Sequence, residues 1–166
     1  LDWLAESGTD VLCLQETKCQ DHDFPAADFL AAGWQTAFRG EKSYNGVAII
    51  SRLPMQHIAA GFDDGGPADA TRLISAEING VRIVNTYVPQ GRSLEHEMYA
   101  YKLEWFKRLR AWLDQNASPD KPLLWCGDLN VARTPLDVHN AKDKTQHVCY
   151  HISVREAFEE VLGWGF

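Results

Sequence analysis

Residues 73–91 read LISAEINGVRIVNTYVPQG. Two apolar-rich runs, 73–78 and 81–87, flank Asn79-Gly80. Asn-Gly supplies the positive-φ positions that a two-residue turn needs, so this stretch predicts an antiparallel hairpin. Downstream, the segment 94–115 places Tyr99, Leu103, Phe106, Leu109 and Leu113 at spacings of three and four, the stripe of an amphipathic helix. Pro122 ends the next loop, and LLWC at 123–126 is a short, wholly apolar strand. Strands interleaved with helices, together with at least one antiparallel hairpin, argue for a mixed sheet covered by helices.

The upstream half fits this frame. The segment 1–6 reads as the last turns of a helix closed by Gly8, and VLCL at 11–14 as a strand buried on both faces. Pro25 opens a short helix that runs to Ala32 and is closed by Gly33. Strands are predicted at 34–38, 47–51 and 55–60, with a turn at Asn45-Gly46 and a polar, Gly-rich loop at 61–70. At the far end, Ser153 and Glu156 fit a capping box for a helix striped by Val154, Ala157, Phe158, Val161 and Leu162 and ended by Gly163. No linker, repeat or low-complexity stretch divides the chain, so residues 1–166 read as one domain. The first helix has no N-cap and no Met opens the chain, which predicts a piece of a longer protein.

Composition bounds the function. With 166 residues, 45% of them apolar and including six Trp, seven Phe and five Tyr, the chain has material for a real core. No apolar run approaches a membrane span, and no signal-peptide pattern occurs. Cys13, Cys19, Cys126 and Cys149 form no CxxC pair, which excludes the usual zinc-site spacing. Cys13 and Cys126 lie in apolar runs and are expected to be buried, reduced and inert, in keeping with a cytoplasmic setting. The net charge of -7 does not argue for nucleic acid, although it is compatible with an enzyme that gathers cations at its site.

Three strand ends carry groups able to do chemistry. Glu16 follows VLCL, Tyr87 ends VRIVNTY, and Asp128 and Asn130 follow LLWC. Sites in open α/β sheets form at carboxyl ends of strands. A lone carboxylate such as Glu16 suits Mg²⁺, which takes one or two carboxylates and fills its remaining positions with water and phosphate. Asp128 could orient or deprotonate a water, Asn130 could hold that water or a phosphate oxygen, and the Tyr87 phenol could donate to an oxygen on which charge develops. Together they describe metal-assisted attack of water on a phosphodiester. Taken singly, each has an ordinary reading: a solvated loop Glu, a GDxN turn, a core Tyr with its hydroxyl at the surface. The ordered combination is what carries the functional reading.

The combination LQETKC (14–19), YNGVAIISR (44–52), RLISAEI (72–78), YVPQGR (87–92) and CGDLNVA (126–132) resembles the exonuclease III and AP endonuclease family, and PLDVHN (135–140) and the terminal GWGF extend the likeness over essentially the whole chain. The resemblance implies a four-layer α/β sandwich of two mixed sheets with helices outside. It implies Mg²⁺, or Mn²⁺ in its place, at Glu16, and catalytic roles for Tyr87, Asp128 and Asn130. Lys18 would steady the metal-site carboxylate, and Arg72 and Gln90 would contact backbone phosphates. The implied activity is magnesium-dependent DNA repair: incision of double-stranded DNA 5′ to abasic sites, with 3′–5′ exonuclease or 3′-phosphatase action at 3′ ends, by a monomer that uses no membrane. The family pattern also has an Asn-bearing strand before Leu1 and Asp- and His-bearing segments beyond Phe166, so this chain is expected to be incomplete at both ends and weak or inactive alone. Two other readings remain open: another metal-dependent phosphohydrolase of the same superfamily, and a non-catalytic remnant of the fold. His139, His147 and His151 are expected to pack or face solvent, since the family has no catalytic His in that loop.

Overall fold

The computed structural model describes residues 1–166. They fall into two compact units, Leu1–Tyr87 with Pro122–Asp128, and Val88–Lys121 with Leu129–Phe166.

The first unit is built on two sheets. Strands β1 (Val11–Gln15), β2 (Gln35–Arg39) and β3 (Val47–Ser51) form one, and β4 (Met55–Ala60), β5 (Leu73–Ile78), β6 (Val81–Tyr87) and β7 (Leu123–Asp128) form the other. The orders are β1-β3-β2 and β4-β5-β6-β7. The expected hairpin is β5–β6, in register from Leu73↔Thr86 to Ile78↔Val81, and its turn has φ of 49° at Asn79 and 78° at Gly80. β7 lies parallel to β6, which makes the four-stranded sheet mixed. In the three-stranded sheet both pairings are antiparallel.

Strand alternation sorts the core of this unit. Val47 and Ile49 of β3 point toward Ile74, Ala76, Ile78 and Ile83 of the other sheet, forming the layer between the sheets. Ile50 points the opposite way, where Leu4 of α1 (Asp2–Glu6), Trp34 and the flanking Phe24 and Phe29 cover it. Phe29 belongs to a second short helix, α2 (Ala26–Ala31). Ile49 and Ile50 are fully buried, each contributing about 1.5–3 kcal/mol. Arg52 fastens this face, donating to the Leu4 carbonyl at 3.0 Å with its guanidinium 4.7 Å from the centre of the Trp34 ring.

The apolar run of β1 was expected to be buried on both faces and is not, and the wholly apolar run of β7 is likewise open to solvent in part. Every residue of β1 is only half-buried, and Leu124 of β7 is 53% exposed. Each strand stands at the end of its sheet with one hydrogen-bonded neighbour, and such positions keep part of their surface in solvent. Cys13 and Cys126 are correspondingly half-buried rather than buried. They are free thiols packed on the layer between the sheets, where a hydrogen bond to Cys126 and burial push the Cys13 thiol far above its usual range.

The second unit is helical. The helix predicted over 94–115 is α3 (Glu97–Asn116), and it buries Tyr99, Lys102, Trp105, Phe106, Leu109, Trp112 and Leu113. It packs against α4 (Ile152–Leu162) through an edge-to-face contact of Phe106 and Phe158, with ring centres 6.3 Å apart. The expected Ser153 capping box is absent. His151 caps α4, its ring accepting from the Ser153 N–H, while the Ser153 hydroxyl bonds the His151 ring and the Tyr99 hydroxyl at 2.8 Å each. A capping box does occur at Thr134 and Asp137, opening the short 3₁₀ turn Pro135–Asp137. No helix is long and apolar enough to cross a membrane.

Candidate active site

Glu16 sits immediately after β1, where the chain turns sharply. Glu16 and Lys18 both adopt left-handed backbone, with φ of 54° and 52°. Such conformations are unfavourable for residues with a Cβ and persist where the surroundings enforce them. Here the enforcing element is the YNG turn: the N–H groups of Thr17 and Lys18 donate to the carbonyls of Gly46 and Asn45 at 3.4 and 3.0 Å. Gly46 is required for this approach, because a Cβ there would lie 2.0 Å from the Thr17 hydroxyl. The LQETK and YNG motifs are thus two halves of one structure.

The turn brings Lys18 Nζ to 2.7 Å from Glu16 Oε2, with the two side chains 57% and 41% exposed. Hydrogen bonding to Lys18 holds the Glu16 carboxyl below the usual range, aided by Tyr87 and Arg72, and Glu16 in turn raises Lys18. Glu16 is therefore an ionised, solvent-accessible carboxylate.

Tyr87 and Asp128 terminate the parallel strands β6 and β7 and are register partners. Burial raises the Tyr87 phenol above its ordinary value, and the negative charge of Glu16, its hydrogen bond and the charge of Asp128 add to that rise. The phenol is thereby kept as a protonated donor. Arg72 supports it from below: its guanidinium lies 5.0 Å from the ring centre and donates to the Tyr87 carbonyl at 3.2 Å, while the Tyr87 N–H donates to the Arg72 carbonyl at 2.7 Å. Gly127 lets β7 lie this close, since a Cβ there would sit 2.0 Å from the Thr86 carbonyl oxygen. Glu16, Lys18, Arg72, Tyr87 and Asp128 therefore gather in the first unit.

Asn130 and Gln90 belong to the second unit. Asn130 has φ of 48°, and its amide donates to the Val88 carbonyl at 2.8 Å while its Oδ1 accepts from Cys149 Sγ at 3.9 Å. The Gln90 side chain accepts from the Arg92 N–H at 2.7 Å, closing its own turn. Of the three histidines in the loop before α4, His139 is exposed, His147 accepts from the Cys149 N–H at 3.2 Å and His151 caps the helix.

Sequence reading passes over two polar residues. Asn85, fully buried, faces the layer between the sheets. Its amide donates to the carbonyls of Leu14 and Ala48 at 2.9 Å each, and its Oδ1 accepts from Gln15 at 2.6 Å. The signal was a lone Asn inside an apolar strand, on the same side as Ile83 and Tyr87. Lys102, fully buried, is the other; its signal was a cation on the apolar stripe of α3.

No three His, Cys, Asp or Glu side chains form a metal cage. What the site offers is an ionised, accessible Glu16, and that donor set fits a hard cation that keeps most of its own water. Two packed sheets thus carry a carboxylate, a protonated phenol and a second carboxylate at three strand ends of an α/β protein. The chain belongs to the Endonuclease/Exonuclease/phosphatase family, whose model matches residues 1–166. It is 32% identical over 170 residues to DNA-(apurinic or apyrimidinic site) endonuclease of Dictyostelium discoideum, covering 99% of this chain and 46% of that protein. It is 31% identical over 172 residues to DNA repair nuclease APEX1 of Danio rerio, covering 100% of this chain and 54% of the relative. Among solved structures, an AP endonuclease from Archaeoglobus fulgidus superposes with a TM-score of 0.94 at 42% identity, covering 98% of this chain and 63% of that one. A variant of the 3′ phosphatase NExo from Neisseria, bound to product DNA hairpin, superposes with a TM-score of 0.88 at 31% identity, covering 98% of this chain and 63% of that one. The chain thus spans about half the length of these curated relatives.

Proposed function

We propose that this chain carries the reacting face of a metal-dependent DNA-repair phosphodiesterase that incises double-stranded DNA 5′ to abasic sites and acts on 3′ ends as an exonuclease or 3′-phosphatase. The observation that carries the reading is the convergence of Glu16, Tyr87 and Asp128 from three strand ends, with Tyr87 and Asp128 in register and the Glu16 charge felt at the Tyr87 phenol. The likeness to an AP endonuclease at 42% identity supports the abasic-site substrate, and the likeness to the 3′ phosphatase supports action on 3′ ends.

In this reading Glu16 holds Mg²⁺, with Mn²⁺ able to replace it, and Lys18 keeps the carboxylate ionised and oriented. The cation when bound supplies neutralisation of phosphate charge. Asp128 aligns the attacking water and accepts its proton as the new bond to phosphorus forms and the bond from phosphorus to the 3′ oxygen breaks, that oxygen leaving as the alkoxide and taking up a proton from solvent. Tyr87, held protonated by burial and its acidic neighbours, donates to a non-bridging phosphate oxygen as charge builds there. Arg72 fixes the Tyr87 ring, and its cation contributes to phosphate attraction in a chain of net charge -7. Asn130 positions the water or the phosphate, and Gln90 contacts the DNA backbone from the YVPQG turn. The protein works as a monomer in the cytoplasm, a setting that suits four free cysteines.

The test is cleavage of a duplex carrying one abasic-site analogue by the protein in its full natural length, with Mg²⁺ and with EDTA. Incision mapped 5′ to the lesion and abolished by EDTA is expected. A folded protein that leaves this duplex intact but hydrolyses inositol phosphates or RNA would replace the DNA-repair reading by a phosphohydrolase one.

A further inference from the structure

Lys102 has no exposed surface. Burying an ammonium is costly unless hydrogen bonds replace its water. Here the bonds converge: Nζ donates to the carbonyls of Asn130 at 2.6 Å, Val148 at 3.0 Å and Gln90 at 3.1 Å, which uses all three N–H donors. Cys149 Sγ lies 3.8 Å away. The acceptors come from separate stretches of chain. Gln90 belongs to the YVPQG turn, three residues after Tyr87, and Asn130 belongs to GDLN, two residues after Asp128. Val148 precedes Cys149, whose thiol meets the Asn130 amide oxygen at 3.9 Å. Close packing supports the arrangement: a Cβ on Gly91 would stand 3.1 Å from Tyr99 and 3.4 Å from the Lys102 stem.

We infer that Lys102 is a positioning residue: its buried ammonium clamps the YVPQG turn, the GDLN turn and the 148–149 segment together and so sets where Asn130 presents its amide. Charge serves this purpose better than a neutral side chain, because bonds from a charged donor are about twice as strong as neutral ones. The left-handed Asn130, φ 48°, is the element that needs holding. With the clamp gone, Asn130 relaxes and its amide leaves the Val88 carbonyl that it meets at 2.8 Å. The catalytic consequence rests on the function proposed above; the clamp itself does not.

The experiment uses the full-length protein and three variants: Lys102→Met, which keeps the stem; Lys102→Arg, which keeps the charge but lacks the convergent three-donor geometry; and Leu109→Ala, a buried residue on the same helix that serves as a control for general destabilisation. Each is studied below its melting temperature. Two readouts are taken: kcat and KM on the abasic duplex, and the exchange of the Asn130 side-chain amide and of the backbone amides of Val88, Gln90, Gly91, Arg92 and 129–132. For Lys102→Met the expectation is a fall in kcat of about a hundredfold, the effect of a misplaced group, with KM changed less than about threefold. The amides of both turns should exchange at least tenfold faster. Lys102→Arg should rescue neither readout fully, and Leu109→Ala should keep wild-type kcat and turn protection. Folded Lys102→Met with wild-type protection of both turns overturns the proposal, whatever its activity. Equal loss of turn protection in Leu109→Ala reduces Lys102 to ordinary core and overturns it as well. A wild-type protein that leaves abasic DNA intact refutes the proposed function instead, and the exchange readout still decides the clamp.

Discussion

Asn85→Ala should be among the most damaging substitutions in the first unit. Asn85 is fully buried and joins the two sheets by three hydrogen bonds, to the carbonyls of Leu14 and Ala48 and from the Gln15 amide. A typical bond contributes about 1 kcal/mol net, and removing one partner leaves buried groups that cost about 1–3 kcal/mol each. Three lost bonds and a small cavity sum to about 3–5 kcal/mol, a large share of a typical 5–15 kcal/mol. Denaturant unfolding followed by tryptophan fluorescence should show a lower midpoint at unchanged m-value. Asn85→Leu separates the causes: it fills the space without satisfying the carbonyls, so it should remain destabilised by at least about 2 kcal/mol. Restoration of wild-type stability by leucine, or a loss below about 1 kcal/mol in the alanine variant, would refute the bridging role. Because Gln15 adjoins Glu16, the same variant should loosen the LQETK turn, seen as faster amide exchange at Thr17 and Lys18.

Lys18→Met should raise the Glu16 pKa toward its ordinary value of about 4.3, read by carboxyl NMR titration. The Glu16 pKa is lowered in the folded state, so the pairing stabilises above the unfolded pKa and is lost as pH falls through the depressed one; that acid-side dependence should shrink in the variant. Tyr87→Phe should lower single-turnover incision by about 10²–10³-fold, the usual result of removing a donor to a developing oxyanion. Since the Tyr87 pKa is raised, any alkaline loss of rate due to its ionisation belongs above about pH 10, and a limb near neutrality that disappears in Tyr87→Phe would contradict this. Gly127→Ala should destabilise by more than about 2 kcal/mol in thermal unfolding, because its Cβ would meet the Thr86 carbonyl at 2.0 Å and its φ of 127° disfavours any side chain.

Much of the scaffold was legible because local chemistry and fold agree. Asn79-Gly80 predicted the β5–β6 hairpin through the positive φ that both residues adopt, and three-four spacing predicted α3. The strand-end positions of Glu16, Tyr87 and Asp128 followed from short apolar runs that stop at polar residues. Other features were hidden for physical reasons. A continuous apolar run does not say how many neighbours a strand has, so the partial exposure of β1 was missed. Asn85 and Lys102 break an apolar pattern, and only the acceptors brought to them by distant segments explain why burial is tolerated. The α4 cap went to His151 because its ring reaches the Ser153 N–H, a choice that the S-x-x-E pattern at 153–156 could not reveal. Asn130, read as a catalytic residue, donates across to Val88 of the YVPQG turn, and Gln90, read as a phosphate contact, accepts from Arg92 within its own turn.

The central claim is that Asp128 activates water for attack on a DNA phosphodiester beside a cation held at Glu16. The most direct measurement is the single-turnover rate of incision at one abasic-site analogue by wild-type and Asp128→Ala protein in Mg²⁺, with duplex binding measured in parallel in EDTA. The account predicts incision 5′ to the lesion by the wild type, a rate at least about 10³-fold lower in Asp128→Ala, and binding retained in both. Wild-type rates in a folded Asp128→Ala protein would contradict it.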